Sequence, residues 1–270
     1  MAVLHTGTGD KQHKVVSEKE WVEARKSLLK KEKELTRQRD EISRQRRELP
    51  WVRMEKNYVF DGPNGKETLS DLFDGRSQLI VYHFMFGPDW EEGCASCSFV
   101  ADHIDGTLAH LEHRDVTFVV VSHAPYEKLA AFKKRMGWKF KWVSAFNNDF
   151  NYDFHVSFTK DEMAKGNVYY NYENAGFPSE EGPGASVFYK EDGTANVYHT
   201  YSSFGRGLDQ MLNTYNYLDL VPKGRDEEGL AFSMSWLRYH DRYDQTYKLD
   251  TKSGYSHPKV SEAASEGQHS

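Results

Sequence analysis

Apolar residues are sparse and evenly spaced in the first part of the chain. Residues 17–50 are dominated by Lys, Arg, Glu and Gln, which favour helix, and Pro50 is the first residue there that would break one. Ser17 and Glu20 have the spacing of a capping box, in which each side chain binds a backbone amide of the other residue. We therefore expect one long helix after Ser17. Its main apolar positions recur every seven residues, at Trp21, Leu28, Leu35, Ile42 and Leu49.

This spacing leaves two roles open for the helix. A coiled coil needs two apolar positions in each heptad, and the sevenfold repeat of Trp21 to Leu49 fills only one of them. The pattern therefore favours a solvated helix lying on its own domain. The alternative is an arm that pairs with a second copy of the chain to form a homodimer.

Residues 51–222 show a different pattern, in which short apolar runs alternate with amphipathic segments. Strands are predicted near 58–60, 77–86, 116–122 and 142–144, and a β-hairpin is predicted over 186–201. Helices are predicted at 102–111, 126–136 and 208–218, and 145–183 form an aromatic insert. Continuous apolar strands separated by helices are typical of an α/β fold whose sheet is covered on both faces.

The remaining segments complete the predicted organisation. Residues 1–16 read as a flexible tail before the arm at 17–50, and 250–270 read as a disordered tail rich in Ser, Lys, Glu and Gly. Between the domain at 51–222 and that tail, 223–249 form an extension. We expect it to dock on the domain through a short helix that contains Met234, Trp236, Leu237 and Tyr239.

Composition narrows the range of functions. The 270 residues carry a formal net charge of −6, so there is no general basic surface to attract nucleic acid. No apolar run is long enough to cross a membrane, and the first residues do not resemble a secretory signal. There are two cysteines, too few for a disulfide scaffold, which favours a reducing, cytoplasmic location.

Those two cysteines are the main candidate for chemistry. Cys94 and Cys97 lie three residues apart, after the most apolar strand and at the start of a predicted helix. Free amides at a helix start favour an anion, so a thiolate there has a lowered pKa. Residues three apart share a helix face, which lets the two sulfurs meet. We expect Cys94 to attack a substrate and Cys97 to resolve the mixed disulfide.

Other interpretations of the pair stay open. Two cysteines are half of a structural zinc site, and His103, His110 and His113 could supply the other ligands, although their spacing is not that of a known zinc motif. The cysteines could also be inert. The acidic residues Asp89, Glu91 and Glu92 precede the pair, and their charge would raise the pKa of Cys94.

His83 is a further candidate, as a proton acceptor beneath the thiols. A hydrogen-bonded core histidine is the more common outcome for a residue in such an apolar strand. The chain has no phosphate-binding loop and no metalloprotease or hydrolase motif, so no bound cofactor and no metal is expected.

Three segments together resemble a known family. They are Pro50-Trp51-Val52 after the helix, Gly75–Phe86 with its apolar strand, and Gly93–Phe99 with the cysteines. With further matches in 140–154 and 186–202, they are similar to the family "domain of unknown function 899". The resemblance covers about 21–226.

The resemblance implies a thioredoxin-like fold related to the peroxiredoxins: a central mixed sheet with helices on both faces, here with an N-terminal helical extension. It therefore implies a thiol–disulfide oxidoreductase that acts on a disulfide-bearing protein or on a small thiol or peroxide. Peroxiredoxins carry Thr three residues before the reactive cysteine, whereas this chain has Glu91. A thiol peroxidase and a non-enzymatic thioredoxin-like binding module remain the alternatives.

Overall fold

The computed structural model describes residues 3–5 and 12–243. The chain divides into two compact units, one formed by residues 1–50 and 214–226 and the other by residues 51–213 and 227–270. The predicted tail at 250–270 lies outside the described residues. In the first unit, strand β1 (Val3–His5) pairs antiparallel with strand β2 (Gln12–Lys14).

Helix α1 (Glu18–Arg47) confirms the predicted long helix and its start. Ser17 Oγ accepts a hydrogen bond from the Glu20 amide at 3.3 Å, and the Glu20 carboxylate accepts one from the Ser17 amide at 3.0 Å. No residue of α1 is buried, and Trp21, the first residue of its apolar row, is 58% exposed. The sevenfold apolar row is therefore a solvent-facing stripe on this chain.

The second unit is built on an eight-stranded mixed sheet with the strand order β3-β12-β11-β6-β7-β8-β4-β5. Strands β6, β7 and β8 are parallel, and β11 runs antiparallel to both β6 and β12. A separate hairpin contains β9 and β10. The strands are β3 (Val52–Arg53), β4 (Val59–Gly62), β5 (Gly65–Thr68), β6 (Gln78–His83), β7 (Val116–Ser122), β8 (Lys141–Ser144), β9 (Val168–Tyr170), β10 (Glu173–Ala175), β11 (Gly184–Lys190) and β12 (Val197–Phe204).

Helical segments cover both faces of this sheet, which confirms the predicted α/β class. On one face Phe84 contacts Trp142, against which Phe132 packs edge-on. On the other face the ring of Phe150 stacks on His83, with centroids 5.6 Å apart. The helices of this unit are α2 (Ala95–Ala101), α3 (Leu108–His113), α4 (Tyr126–Met136), α5 (Phe150–Asp153) and α6 (Lys160–Ala164), with 3-10 turns at Asp71–Phe73, Asp105–Thr107 and Gly205–Met211. All but the first residue of α7 (Asn213–Leu218) belongs to the first unit.

Three predicted helices are wrong in extent or in kind. No single helix spans 102–111. Helix α2 ends before this range, at Ala101, and the range itself contains the 3-10 turn and the first part of α3. The helix expected at 208–218 is a 3-10 turn followed by α7. The helix expected around Met234 is absent from the described chain, because Met234 has a left-handed backbone with φ 72°. Leu237 and Tyr239 are nevertheless fully buried.

No helix in the part of the chain that the structure describes is long and apolar enough to span a bilayer.

Candidate active site

An eleven-residue connection carries the chain from the end of β6 to the start of α2, and Cys94 is the last residue before the helix. The amide of Cys94 donates to the Met85 carbonyl at 3.0 Å. The Cys94 carbonyl accepts from both the amide and the hydroxyl of Ser98, each at 2.9 Å. These bonds fix Cys94 at the N-cap of α2, next to the carboxyl end of the central strand.

The two sulfurs are unbridged, and both side chains point into the protein. Cys94 Sγ accepts the backbone N–H of Cys97 at 3.5 Å, as an N-cap side chain does. Cys97 Sγ accepts the N–H of Met85 at 3.4 Å. Each cysteine is 2% exposed and neither is in a disulfide. The pair is therefore within bonding reach but covered from solvent.

The environment moves the pKa values of the two thiols in opposite directions. The side chain of Cys97 is the largest cause that lowers the pKa of Cys94, and amides at the start of α2 add to it against the cost of burial. Burial raises the pKa of Cys97 well above its ordinary value, and the neighbouring Cys94 raises it further. Of the two thiols, Cys94 is therefore the one that ionises more readily.

Tyr82 lies directly beneath Cys97. Its side chain is fully buried, and its hydroxyl makes no hydrogen bond of standard geometry within the described chain. Burial, followed by the charge of Cys97, raises the pKa of Tyr82 well above its ordinary value. The Tyr82 hydroxyl is thus a neutral donor, and it works to lower the pKa of Cys97.

The segment Gly87–Gly93, which leads into Cys94, is held by hydrogen bonds at several points. The Trp90 indole N–H donates to Glu180 Oε1 at 2.7 Å. Lys128 Nζ donates to the carbonyls of Pro88 at 2.7 Å and Trp90 at 3.1 Å. The Tyr239 hydroxyl donates to the Gly93 carbonyl at 2.6 Å.

Glycine is required at Gly93, because a Cβ there would lie 2.5 Å from the ring of Phe84. Of the acidic residues that precede Cys94, Glu92 forms an ion pair with Arg135. The expectation that Asp89, Glu91 and Glu92 partly offset the effect of the helix start stays a prediction: the pKa of Cys94 is lowered overall, and the charge of Glu92 is compensated by Arg135.

His83 does not join the cysteines. As the neighbour of Tyr82 in a strand, it points to the opposite sheet face, where it stacks against both Phe150 and Phe154. Its Nε2 is 2.8 Å from Ser186 Oγ, and Nδ1 has no partner among the described residues. Burial lowers the pKa of His83 to about 3. Its role as a proton acceptor for the thiols stays a prediction.

A second polar cluster lies at the same edge of the sheet and is missed by sequence reasoning. Glu181 is fully buried, three residues before β11 begins, and His123 follows β7. Glu181 Oε1 is 3.0 Å from His123 Nδ1, and Oε2 accepts from Ser157 Oγ at 2.7 Å. Burial raises the pKa of Glu181. No sequence motif links these three residues, which meet only through the sheet topology.

The candidate zinc ligands are spread along the segment after α2. His103 Nδ1 bonds the carbonyl of Phe99 at 2.7 Å, and His110 and His113 lie in α3. Among the residues that the structure describes, no three His, Cys, Asp or Glu side chains are grouped as metal ligands.

Solved structures that resemble this chain do so at low identity. Peroxidoxin BcpB from Mycobacterium tuberculosis is 12% identical with a TM-score of 0.42, over 62% of this chain and 95% of that one. PrxQ from Xylella fastidiosa is 14% identical with a TM-score of 0.39, over 62% and 94%. A putative thiol:disulfide interchange protein DsbE from Chlorobium tepidum is 12% identical with a TM-score of 0.38, over 62% and 97%. This level of likeness says nothing about what the present chain does.

No curated protein matches the chain in sequence. A family model does match, the one described as bacterial protein of unknown function DUF899, and it spans residues 10–243. That range includes α1, the whole mixed sheet and both cysteines. The chain is therefore a member of the DUF899 family.

Proposed function

We propose that this protein is a thiol–disulfide oxidoreductase that cycles Cys94 and Cys97 between dithiol and disulfide. The observation that carries the proposal is the asymmetry of the pair. Cys94 Sγ accepts the backbone N–H of Cys97, in the first turn of α2, and has a lowered pKa, whereas the pKa of Cys97 is raised. An attacking thiol must be ionised and a resolving thiol must wait as the protonated form, and this arrangement supplies both.

The reaction takes two steps. The Cys94 thiolate attacks one sulfur of a substrate disulfide, which forms a mixed disulfide and releases the other substrate sulfur as a thiolate. Cys97 then loses its proton and attacks Cys94 Sγ, which releases the second substrate thiolate and closes the Cys94–Cys97 disulfide. The substrate gains two electrons, and the pair loses two. A donor thiol of the cell reverses both steps on the protein.

Tyr82 and Met85 assist the second step. When Cys97 ionises, negative charge appears on a buried sulfur. The Met85 amide already donates to that sulfur at 3.4 Å, and the buried Tyr82 hydroxyl is the neighbouring donor without a partner. Preorganised donors stabilise such a charge most strongly where water is excluded. In this proposal both groups stabilise the Cys97 thiolate as it attacks.

Burial of the thiols favours a second candidate, a thiol peroxidase. With each cysteine 2% exposed, a small peroxide reaches Cys94 more readily than a protein disulfide does. The thiolate would attack the peroxide, forming a sulfenic acid and releasing an alcohol or water, and Cys97 would displace water to close the same disulfide. The two candidates share every residue and differ in the size and class of the substrate.

Oxidation of the reduced protein by three oxidants tests the proposal. Reduced wild type is mixed with glutathione disulfide, insulin or hydrogen peroxide, and the remaining thiols are counted after denaturation. We expect loss of both thiols, and in Cys97→Ser a glutathione adduct trapped on Cys94 that mass spectrometry detects. Cys94→Ser is the matched control and should form no adduct.

Relative rates separate the candidates. Fast oxidation by glutathione disulfide or insulin supports the oxidoreductase, and oxidation by peroxide alone supports the peroxidase. If Cys94→Ser reduces insulin or consumes peroxide as fast as wild type, both proposals fail and a non-enzymatic binding module is the better interpretation.

A further inference from the structure

A second pocket lies on the sheet face opposite the thiols. Its cavity measures about 240 Å³. One of its walls, Phe154, stacks on His83, whereas the thiols lie on the Tyr82 side of the same strand. The pocket is therefore separate from the proposed redox site. Its walls are mainly aromatic: Tyr58, Phe154, Tyr169, Tyr172 and Phe204.

The rim of the pocket is held in strained backbone conformations. Asn171 and Tyr172 form the two-residue turn between β9 and β10, with φ of 53° and 67°. Asparagine tolerates this left-handed region, but a tyrosine there is strained, because its Cβ lies too close to the following carbonyl oxygen. His155, on the same rim, has φ 54°. Non-glycine residues in such conformations cluster where function requires a fixed geometry.

The strain at Tyr172 places its ring over the cavity. The Tyr172 hydroxyl donates to the Ser202 carbonyl at 3.0 Å, and the ring lies edge-on to Phe204 with centroids 5.6 Å apart. Even so, Tyr172 is 64% exposed. A large aromatic side chain is thus fixed at the opening with most of its surface unburied, which leaves a ring surface available to a ligand.

His199 supplies a hydrogen-bonding group to the pocket. Its Nε2 is 3.1 Å from the Tyr201 carbonyl and 2.7 Å from Ser202 Oγ. A carbonyl oxygen only accepts, so Nε2 carries the hydrogen. Burial lowers the pKa of His199, which keeps the ring neutral. The remaining nitrogen, Nδ1, is then an acceptor, and among the described residues it has no hydrogen-bond partner.

Other polar side chains also line the pocket, among them Asp153, His155, Asn171 and Ser202. Asp153 Oδ2 accepts from Lys56 Nζ and from the Tyr58 hydroxyl, both at 2.7 Å. Among these groups, His199 Nδ1 offers an acceptor to a ligand that carries a hydrogen-bond donor. A dry cavity of about 150 Å³ accommodates benzene, so the larger space here suits two fused rings.

We propose that this pocket binds a bicyclic aromatic alcohol, with its rings against Tyr172 and Phe204 and its hydroxyl donating to His199. Two probes of similar shape test this, 2-naphthol and 2-methoxynaphthalene, which lacks the donor. Isothermal titration calorimetry on the full chain should show 2-naphthol binding about tenfold more tightly, the effect of one hydrogen bond. In His199→Phe the two probes should bind equally.

A pair of variants at the turn makes the test independent of His199. Tyr172→Gly removes the ring and relieves the left-handed strain, so it should lose 2-naphthol binding by tenfold or more without lowering the thermal unfolding midpoint. Asn171→Gly relieves the same kind of strain, keeps the ring and should bind as wild type does. Equal affinity of wild type for both probes, or unchanged affinity in Tyr172→Gly, would overturn the proposal.

Discussion

Tyr82 and His83 are consecutive residues of the central strand, and their side chains serve two different clusters. Tyr82 lies beneath Cys97, whereas His83 stacks against Phe150 and Phe154 and is hydrogen-bonded to Ser186. The strand therefore separates a thiol site on one face of the sheet from an aromatic and hydroxyl-rich cluster on the other. A substitution in one cluster should therefore leave the other cluster in place, so that each can be tested on its own.

The reactivity of Cys94 should depend on the side chain at position 97. Because the Cys97 side chain is the largest cause of the lowered pKa of Cys94, Cys97→Ala should raise that pKa towards the value of a free thiol. Cys97→Ser keeps a hydrogen-bond donor and should raise it less. The measurement is the rate of alkylation by iodoacetamide as a function of pH. Identical profiles for the two variants would show that the neighbouring side chain does not tune Cys94.

Tyr82→Phe should slow closure of the disulfide. The variant keeps the buried ring and removes the hydroxyl that lowers the pKa of Cys97. A hydrogen bond to a charged group contributes about 1.5–3 kcal/mol, so resolution of a glutathione mixed disulfide should slow by at least about tenfold. Rapid mixing with mass detection measures this step, while the first attack by Cys94 should keep its wild-type rate. An unchanged rate of resolution would remove Tyr82 from the mechanism.

His83→Gln should alter the pH dependence of stability. The pKa of His83 is lowered from 6.5 to about 3 in the fold, so below pH 6.5 the unfolded chain binds the proton more readily. The stability that neutral His83 contributes is present above pH 6.5 and is lost as the pH falls towards 3. Urea unfolding of wild type should therefore weaken with acid more steeply than that of His83→Gln.

The same variant tests the proposed catalytic role of His83. If His83 accepts a proton from the thiols, His83→Gln will shift the pH profile of Cys94 alkylation. From its place on the opposite face, we expect that profile to stay as in wild type.

Trp90→Phe should uncover the thiols. The variant retains most of the apolar packing of Trp90 and loses its 2.7 Å bond to Glu180, one of the ties on Gly87–Gly93. Opening of this segment should become easier by about 1 kcal/mol, which corresponds to about fivefold faster oxidation by insulin. Oxidation by hydrogen peroxide should change less, because a small molecule needs a smaller opening. If Trp90→Phe increases the rate of oxidation by peroxide more than the rate of oxidation by insulin, the bond from Trp90 to Glu180 does not limit access to the thiols.

A homodimer through α1, the alternative to a solvated helix, also stays to be tested. Leu28 and Leu35 lie on the exposed apolar stripe, so Leu28→Glu with Leu35→Glu should convert a dimer to a monomer in light scattering. Lys30→Glu, outside the sevenfold row of α1, is the control and should remain dimeric. A monomeric wild type would show that the stripe does not pair two copies.

The sequence predicts those parts of the fold that depend on local chemistry. The capping box at Ser17 and the apolar strands β6 and β7 are read directly from residue type and spacing. Period-2 alternation shows that only one of Tyr82 and His83 can face α2, but not which one, because that depends on the side from which the helix packs.

Features made by distant segments are beyond such reasoning. Glu181 and His123 belong to no common sequence motif. They meet because β11 and β7, the strands next to them in the chain, flank the same strand, β6. The aromatic pocket joins side chains from the hairpin of β9 and β10 with others from α5 and β12, and no local pattern records that juxtaposition.

The bond from Tyr239 to the Gly93 carbonyl ties a late part of the chain to the segment that leads into Cys94. Tyr239 lies 142 positions after Cys97, so a ribosome produces both cysteines long before it adds this tie. That segment therefore gains its full set of hydrogen bonds only late in synthesis.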